Sequence, residues 1–213
     1  MPLTAGCPRC PTPVARAGVD GGWSCPEHGS IAPLWRPAEV SYDGFVEHLG
    51  AAAAFPTYLP WPLSPGWRVT DFAAVGDPEQ GGRAVMTCVS GTSELDGPVD
   101  VLVVSEEAGT GLGSRVAGTP YDDPGAELGH GPPTVRVRVE GQTVPLWPVS
   151  TSDSRGEWDR SVLAGEAAGR WLWMVMRPAS AVLLLRDDWL LRDVSVLGPG
   201  LVEMPFGGPA PTW

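Results

Sequence analysis

Two residue types are missing from this chain of 213 residues: it has no lysine and no asparagine, and Ile31 is its only isoleucine. All three have AT-rich codons, so a GC-rich genome explains their scarcity. The 14 basic side chains are therefore all arginine. The absences still exclude chemistry. Without lysine there is no Schiff base, no Walker A lysine and no Ser-Lys pair. Without asparagine there is no N-glycosylation acceptor. No segment approaches the ~18 consecutive apolar residues of a membrane helix. Leu3-Thr4-Ala5-Gly6-Cys7 resembles a lipoprotein cleavage site, but neither a charged region nor an apolar run precedes it.

What is present begins with cysteine. Of four in the chain, three fall in ligand spacing: Cys7-Pro8-Arg9-Cys10, a connector of fourteen residues, then Cys25-Pro26-Glu27-His28-Gly29. Two pairs, each with two residues between its members, are the arrangement of a small zinc ribbon, with Cys7, Cys10, Cys25 and His28 as ligands. Four protein ligands leave no open position for water, so the expected zinc is structural. A redox pair at Cys7 and Cys10 lacks the strand-helix context such motifs need. Val14 to Arg16 and Gly22 to Ser24 are expected to form two strands around a turn at Val19-Asp20-Gly21-Gly22. Pro11 after Cys10 offers no N–H to a thiolate, a departure from the usual knuckle; Gly29 after His28 fits it. The remaining Cys88 lies in an apolar run and reads as a small buried hydrophobe. Thiols in ligand spacing fit a reducing cytoplasm.

The net charge of −11 argues against nucleic acid as a partner of the whole chain. The head is near neutral, with Arg9, Arg16 and Arg36 against Asp20 and Glu27, so the body holds the acidity. Residues 1–37 are expected as the ribbon head, 38–67 as a helix and connector, 68–206 as a β-rich domain and 207–213 as a frayed tail. Ser41 to Phe55 has a capping serine, an alanine run and a stop at Pro56, which predicts a helix. His48 on it is expected at a surface or interface. Pro56 to Trp67 is a rigid, extended, aromatic connector. Seven strand-like runs follow: Arg68 to Val75, Arg83 to Ser90, Val99 to Ser105, Thr134 to Glu140, Gln142 to Val149, Trp171 to Arg177, and Ala181 to Leu185. Val135 to Val139 alternates, with one face in water, and Glu140-Gly141 turns the chain back. Trp171 to Met176 is apolar at both parities, a central strand that needs cover on both faces. Asp187-Asp188 is expected to cap a short helix to Leu197, with a strand as the competitor.

Few residues suggest catalysis. There is no Gly-x-Ser-x-Gly elbow, and only His48 and His130 lie outside the ribbon to act as a base. The carboxylate pairs Glu106-Glu107, Asp122-Asp123 and Asp187-Asp188 single out no general acid. The glycine-rich stretch Gly109 to Gly113 before Arg115 could cradle a phosphate, but Glu106 and Glu107 would repel an anion, and a plain strand-exit loop fits better.

One family has these features together. Cys7-Pro8-Arg9-Cys10, Cys25 with His28-Gly29, and Leu59-Pro60-Trp61-Pro62-Leu63 through Gly66-Trp67 carry the likeness. So do Glu106-Glu107 with Gly109 to Gly113, Pro145-Leu146-Trp147, and Leu163-Ala164-Gly165-Glu166 through Trp171-Leu172-Trp173. On these residues the chain resembles an uncharacterised actinobacterial family, a domain of unknown function with a zinc-ribbon head and a β-rich body. The resemblance implies no activity. A phosphotransacetylase label sometimes attached to such proteins finds no support here, with no lysine and no convincing phosphate loop.

The expectation is therefore an α+β protein: an N-terminal zinc ribbon followed by a mainly antiparallel β-sheet domain with one or two helices. It would be cytoplasmic and non-enzymatic, binding an unknown protein or small molecule, with no membrane association. The competing reading is an enzyme or small-ligand binder with its site between the Trp61–Trp67 connector and the Glu106–Arg115 loop. A third is weak nucleic-acid contact through Arg9, Arg16 and Arg36.

Overall fold

The computed structural model describes residues 3–17, 21–52, 55–77, 81–125, 128–151, 159–186 and 189–213. The turn expected at Val19-Asp20 and the cap expected at Asp187-Asp188 lie outside the described residues. Fourteen strands are described: β1 (Leu3–Gly6), β2 (Ala15–Ala17), β3 (Gly22–Cys25), β4 (Gly29–Ile31), β5 (Leu34–Pro37), β6 (Tyr58–Pro60), β7 (Arg68–Asp77), β8 (Gly81–Ser93), β9 (Gly97–Glu106), β10 (Val135–Val139), β11 (Gln142–Pro148), β12 (Ser161–Ala167), β13 (Arg170–Arg177) and β14 (Leu190–Asp193). Two α-helices accompany them, α1 (Tyr42–Ala52) and α2 (Leu112–Ala117).

Eleven strands form one sheet in the order β1-β5-β7-β8-β9-β13-β12-β11-β10-β14-β6, and β2-β3-β4 form a separate ribbon sheet. Every pairing is antiparallel except β10 with β14. The architecture is thus α+β on a large, mainly antiparallel sheet. Head and body share it: β5 pairs with β7, Leu34 opposite Val75 and Trp35 opposite Ala74. Trp35 Nε1 also donates to the Gly76 carbonyl at 3.0 Å.

The sheet is covered on both faces, as the double-parity hydrophobicity of β13 requires. Leu172, Met174 and Met176 point to one side with Val101, Val103 and Phe72, beneath Phe45 of α1. Trp173 and Val175 point to the other with Leu102, Val104 and Met86, beneath Leu112 and Val116 of α2. The far strands curl over the first face, so that Leu59, Val137, Val139, Leu146 and Leu191 join its core. Thr87 Oγ1 closes this curl by donating to the Tyr58 carbonyl at 2.6 Å.

Local signals that held are capping and alternation. Ser41 Oγ accepts from Gly44 N at 3.1 Å and starts α1. In β10, Arg136 and Arg138 are exposed and Val137 and Val139 buried. The β10–β11 turn uses Glu140 at φ 49 and Gly141 at φ 82, the left-handed pair a two-residue hairpin needs.

Several expectations are corrected. Ala181 to Leu185 is not a strand but part of a 3₁₀ helix, Ala179–Arg186. Ala181 and Leu185 are buried and Leu183 exposed, a helical spacing rather than an alternation. The helix expected before Leu197 is strand β14, followed by a short 3₁₀ turn that Asp193 caps through Ser195 N at 3.0 Å. The second α-helix instead begins at the end of the glycine-rich stretch, as α2, and runs through Arg115 to Ala117. Strand β12 is additional to the expected runs, its Ser-Val-Leu-Ala-Gly-Glu-Ala sequence showing no alternation. The connector is extended, yet Tyr58–Pro60 pairs with β14 as the sheet's last strand. His48 is fully buried rather than at a surface, packed on Phe45 and Phe72 with ring centroids 5.4 and 5.1 Å away.

The tail is not frayed either. Pro211 is buried, Arg36 donates to its carbonyl at 3.4 Å, and Arg177 donates to the Thr212 carbonyl at 2.6 Å. Trp213 Nε1 donates to Asp71 at 2.7 Å. These contacts come from residues more than thirty positions away, which no local reading of glycines and prolines could find.

Candidate metal centre

The ribbon brings its four predicted ligands to one point. The knuckle after β1 supplies Cys7 and Cys10; the turn between β3 and β4 supplies Cys25 and His28. Their ligand atoms all lie within 4.8 Å of one another. His28 Nδ1 is 3.6, 3.5 and 3.6 Å from the sulfurs of Cys7, Cys10 and Cys25, and the Cys10 and Cys25 sulfurs are 3.6 Å apart. A tetrahedral zinc with bonds of ~2.3 Å to sulfur and ~2.0 Å to nitrogen requires separations of about 3.8 and 3.5 Å. The donor set therefore fits zinc in both chemistry and spacing. Among the described residues this is the one such His/Cys/Asp/Glu group.

All three thiols are buried. In the absence of a cation, burial pushes the Cys7 thiol up to about 11, despite backbone N–H groups that favour its thiolate. One of those donors, Arg9 N, lies 3.4 Å from Cys7 Sγ. A divalent cation would reverse the balance and hold the thiolates. Glu27 is tied across the ribbon by Thr12 Oγ1 at 2.7 Å, which joins the two knuckles outside the ligand set. The expected pair of strands is a three-stranded sheet, Cys25 opposite Gly29 in the added β4.

The ribbon is held against the body by arginines. The Arg9 guanidinium donates to the carbonyls of Gly109 and, at 3.4 Å, Thr110, and lies 3.5 Å from the Asp122 carboxylate. In return Arg115 of α2 donates to the Cys7 carbonyl. The glycine-rich stretch is thus the seat of the ribbon. Its backbone carbonyls at Gly109 and Thr110 face a guanidinium, and four of its N–H groups are occupied: Gly109 N donates to Asp123 at 2.8 Å, Thr110 N to the Glu107 carbonyl at 3.2 Å, and Leu112 N and Gly113 N to Glu106 at 2.9 and 3.1 Å. Glu106 also accepts from Trp173 Nε1 at 2.7 Å. Burial pushes its carboxyl up to about 7, against the lowering effect of these three donors. Sequence reasoning placed Glu106 beside the loop but missed this role; the signal was a carboxylate six residues before the first residue of a short apolar turn.

The residues of the competing reading do not converge. Trp61 and Trp67 line a groove of about 350 Å³ with Trp189 at the β6 edge. Gly109 and Thr110 line a different hollow of about 220 Å³ with Arg9 and Trp23, under the ribbon. The head arginines are each engaged within the chain. Arg36 forms a two-pronged bond to Asp71, at 3.1 and 2.5 Å, and Arg16 lies over Trp23, 5.1 Å from its centroid. Cys88 is buried, accepts from Thr70 Oγ1 at 3.4 Å, and burial pushes its thiol up to about 12.

Fold and site together define a protein class: a head with a candidate Cys3His metal site, seated on a large antiparallel sheet. The whole chain, residues 1–213, matches the model of a family described as "Family of unknown function (DUF6758)", and the chain belongs to that family. No curated protein and no solved structure matches it.

Proposed function

We propose that the protein is a non-enzymatic binding or regulatory module whose ribbon holds a structural zinc through Cys7, Cys10, Cys25 and His28. The observation that carries this reading is the spacing of the four ligand atoms. It suits a tetrahedral ion with every position filled by protein, which leaves no place for a reactive water. The ion would supply folding energy to a head too small to fold on apolar burial. The head's lodging between Arg9 and Arg115 supports a fixed recognition surface rather than a tethered one.

The partner is a protein or a small molecule. Nucleic acid is disfavoured by the charge of −11 and by the engagement of Arg9 and Arg36 within the body. Among the described residues the Trp61–Trp67 connector and the Glu106–Arg115 loop line separate hollows, which gives the enzyme reading no support. Four unbridged cysteines favour a reducing cytoplasm, and the lysine- and asparagine-free composition favours an actinobacterial, GC-rich source. No helix of the described residues is long and apolar enough to cross a membrane.

Metal analysis of protein purified without added metal tests the reading. One zinc per chain, lost in Cys25→Ser and His28→Ala together with a lower melting temperature, is expected. A metal-free, fully folded wild type would overturn it.

A further inference from the structure

The hairpin between β8 and β9 ends in Glu94-Leu95-Asp96, and Leu95 is 85% exposed. The tip is nevertheless well formed: Leu95 N and Asp96 N donate to Ser93 Oγ at 3.2 and 3.4 Å, and Ser93 Oγ donates to Asp96 at 3.2 Å. An ordered leucine held in water between two carboxylates is a poor solvent-facing residue and a good plug, since little entropy remains to be lost on docking.

A receptor of matching chemistry lies at the same end of the molecule. The groove of about 350 Å³ is walled by Trp61, Leu63, Trp67 and Trp189, with Trp67 and Trp189 edge to face at 6.3 Å, and none of the described residues that line it is charged. Leu190 joins it to a second hollow lined by Arg138, Glu140 and Arg192. The Glu140 carboxylate there already accepts from Asp193 N at 2.6 Å. An apolar slot beside arginines thus occurs on a chain whose net charge is −11. The Trp67 ring lies directly on Gly91, where a Cβ would fall 2.4 Å from it. Gly91 is four residues from Leu95, two of them in β8 and two in the turn, so the two lie within about 13 Å, the span of four extended residues. Tip and groove are therefore neighbours, but the exposure of Leu95 shows that it does not enter its own groove.

We propose that two copies of the chain pair about a two-fold axis, the Glu94-Leu95-Asp96 tip of each entering the Trp61–Trp67–Trp189 groove of the other. A plug and a socket a short distance apart on one face are what an isologous exchange requires. Leu95 fills the slot, and Glu94 and Asp96 meet Arg192 at its rim, which fixes the register. The contacts are small, so association is weak and concentration-dependent. It uses nothing of the metal centre, so the two readings stand or fall separately.

Sedimentation velocity of the full chain, from about 1 to 500 µM to span the weak-affinity range, tests the pairing. The weight-average mass should rise from the 22.4 kDa of one chain towards twice that value. Leu95→Asp, a surface change checked for folding by circular dichroism, should stay at one chain. Arg192→Glu and the double change Glu94→Arg with Asp96→Arg should each weaken pairing at least tenfold, and more at low salt than at high. Their mixture should pair again, because each tip then faces a groove of opposite charge. A wild type at one-chain mass throughout, a Leu95→Asp variant that pairs normally, or an unpaired mixture each overturns the proposal. If the wild type stays single while a synthetic Ser-Glu-Leu-Asp-Gly peptide quenches its tryptophan fluorescence, the groove serves a foreign acidic peptide and the second-copy assignment falls.

Discussion

Arg115, on a helix of the body, donates a hydrogen bond to the carbonyl oxygen of Cys7, the first ligand of the ribbon. The same guanidinium lies 4.9 Å from the centroid of Trp213, the last residue of the chain, and Arg36 lies 4.3 Å from it. One side chain thus touches the start of the metal site and the end of the tail. The ribbon is built into the body through such bonds, and the first prediction follows from that.

Arg115→Met keeps an apolar stem but removes the donor. The Cys7 carbonyl loses a charged partner, which costs about 2 kcal/mol. The melting temperature should drop, and a colorimetric chelator should strip metal several-fold faster than from wild type. Unchanged release kinetics would mean that the body does not steady the knuckle.

Ionised, Glu106 is acceptor-only and meets three donors, Leu112 N, Gly113 N and Trp173 Nε1. Glu106→Gln turns an NH₂ towards at least one of them and should cost about 1–3 kcal/mol. Gly113→Ala is predicted to be as damaging for a steric reason, since a Cβ there would sit 2.1 Å from the buried Trp173 indole. Urea denaturation gives both values. A neutral Gly113→Ala would show that α2 can shift off the sheet without loss.

His48 and Glu106 oppose one another in pH. Burial lowers His48 from 6.5 to about 3, so the folded chain holds it neutral while the unfolded chain takes up a proton. Its contribution is complete above 6.5 and declines towards 3, by up to about 1.4 kcal/mol per pH unit. Glu106 is raised from 4.5 to about 7, so its contribution is complete below 4.5 and is lost as pH rises through 7. Between 4.5 and 6.5 the two slopes cancel. In His48→Leu, Glu106 acts unopposed, and stability relative to wild type should fall as pH rises through that window. Parallel pH curves for the two proteins would refute a neutral, buried His48.

The tail is held by both the N–H and the ring of Trp213. Trp213→Phe keeps the ring beneath the guanidiniums but removes the donor to Asp71, whose side chain is only 1% exposed. Its cost should be about 1 kcal/mol, and that of Trp213→Ala about twice as much. Equal thermal shifts would assign all of the effect to the hydrogen bond. Asp71→Asn should cost more than either, about 3 kcal/mol, because Arg36 then loses its buried counter-charge.

The metal centre was legible because metal chelation is local: two knuckles, each four residues long, carry all the ligands. The central strand β13 was legible because hydrophobicity at both parities has a single structural meaning in a short segment. The second helix was not. Six residues between the flanking glycines Gly111 and Gly118 are too few to hold a helix by propensity, and α2 exists because Glu106 takes its first N–H groups and Trp173 covers Gly113. Likewise, Ala181 to Leu185 is apolar in a way that suits either a strand or a 3₁₀ turn, and only packing under the sheet separates them.

Sequence alone determined the Cys7, Cys10, Cys25 and His28 grouping, the α+β character and the exclusion of lysine chemistry, since each depends on residue type and near-neighbour spacing. Tertiary structure alone decided that the ribbon sits on the glycine-rich loop, that His48 is buried, that the last residue reaches Asp71, and that the tryptophan connector and that loop line separate cavities. Each of these joins residues far apart in the chain. Their free energy comes from desolvation and from bonds to particular partners, and neither is encoded in any short stretch of sequence.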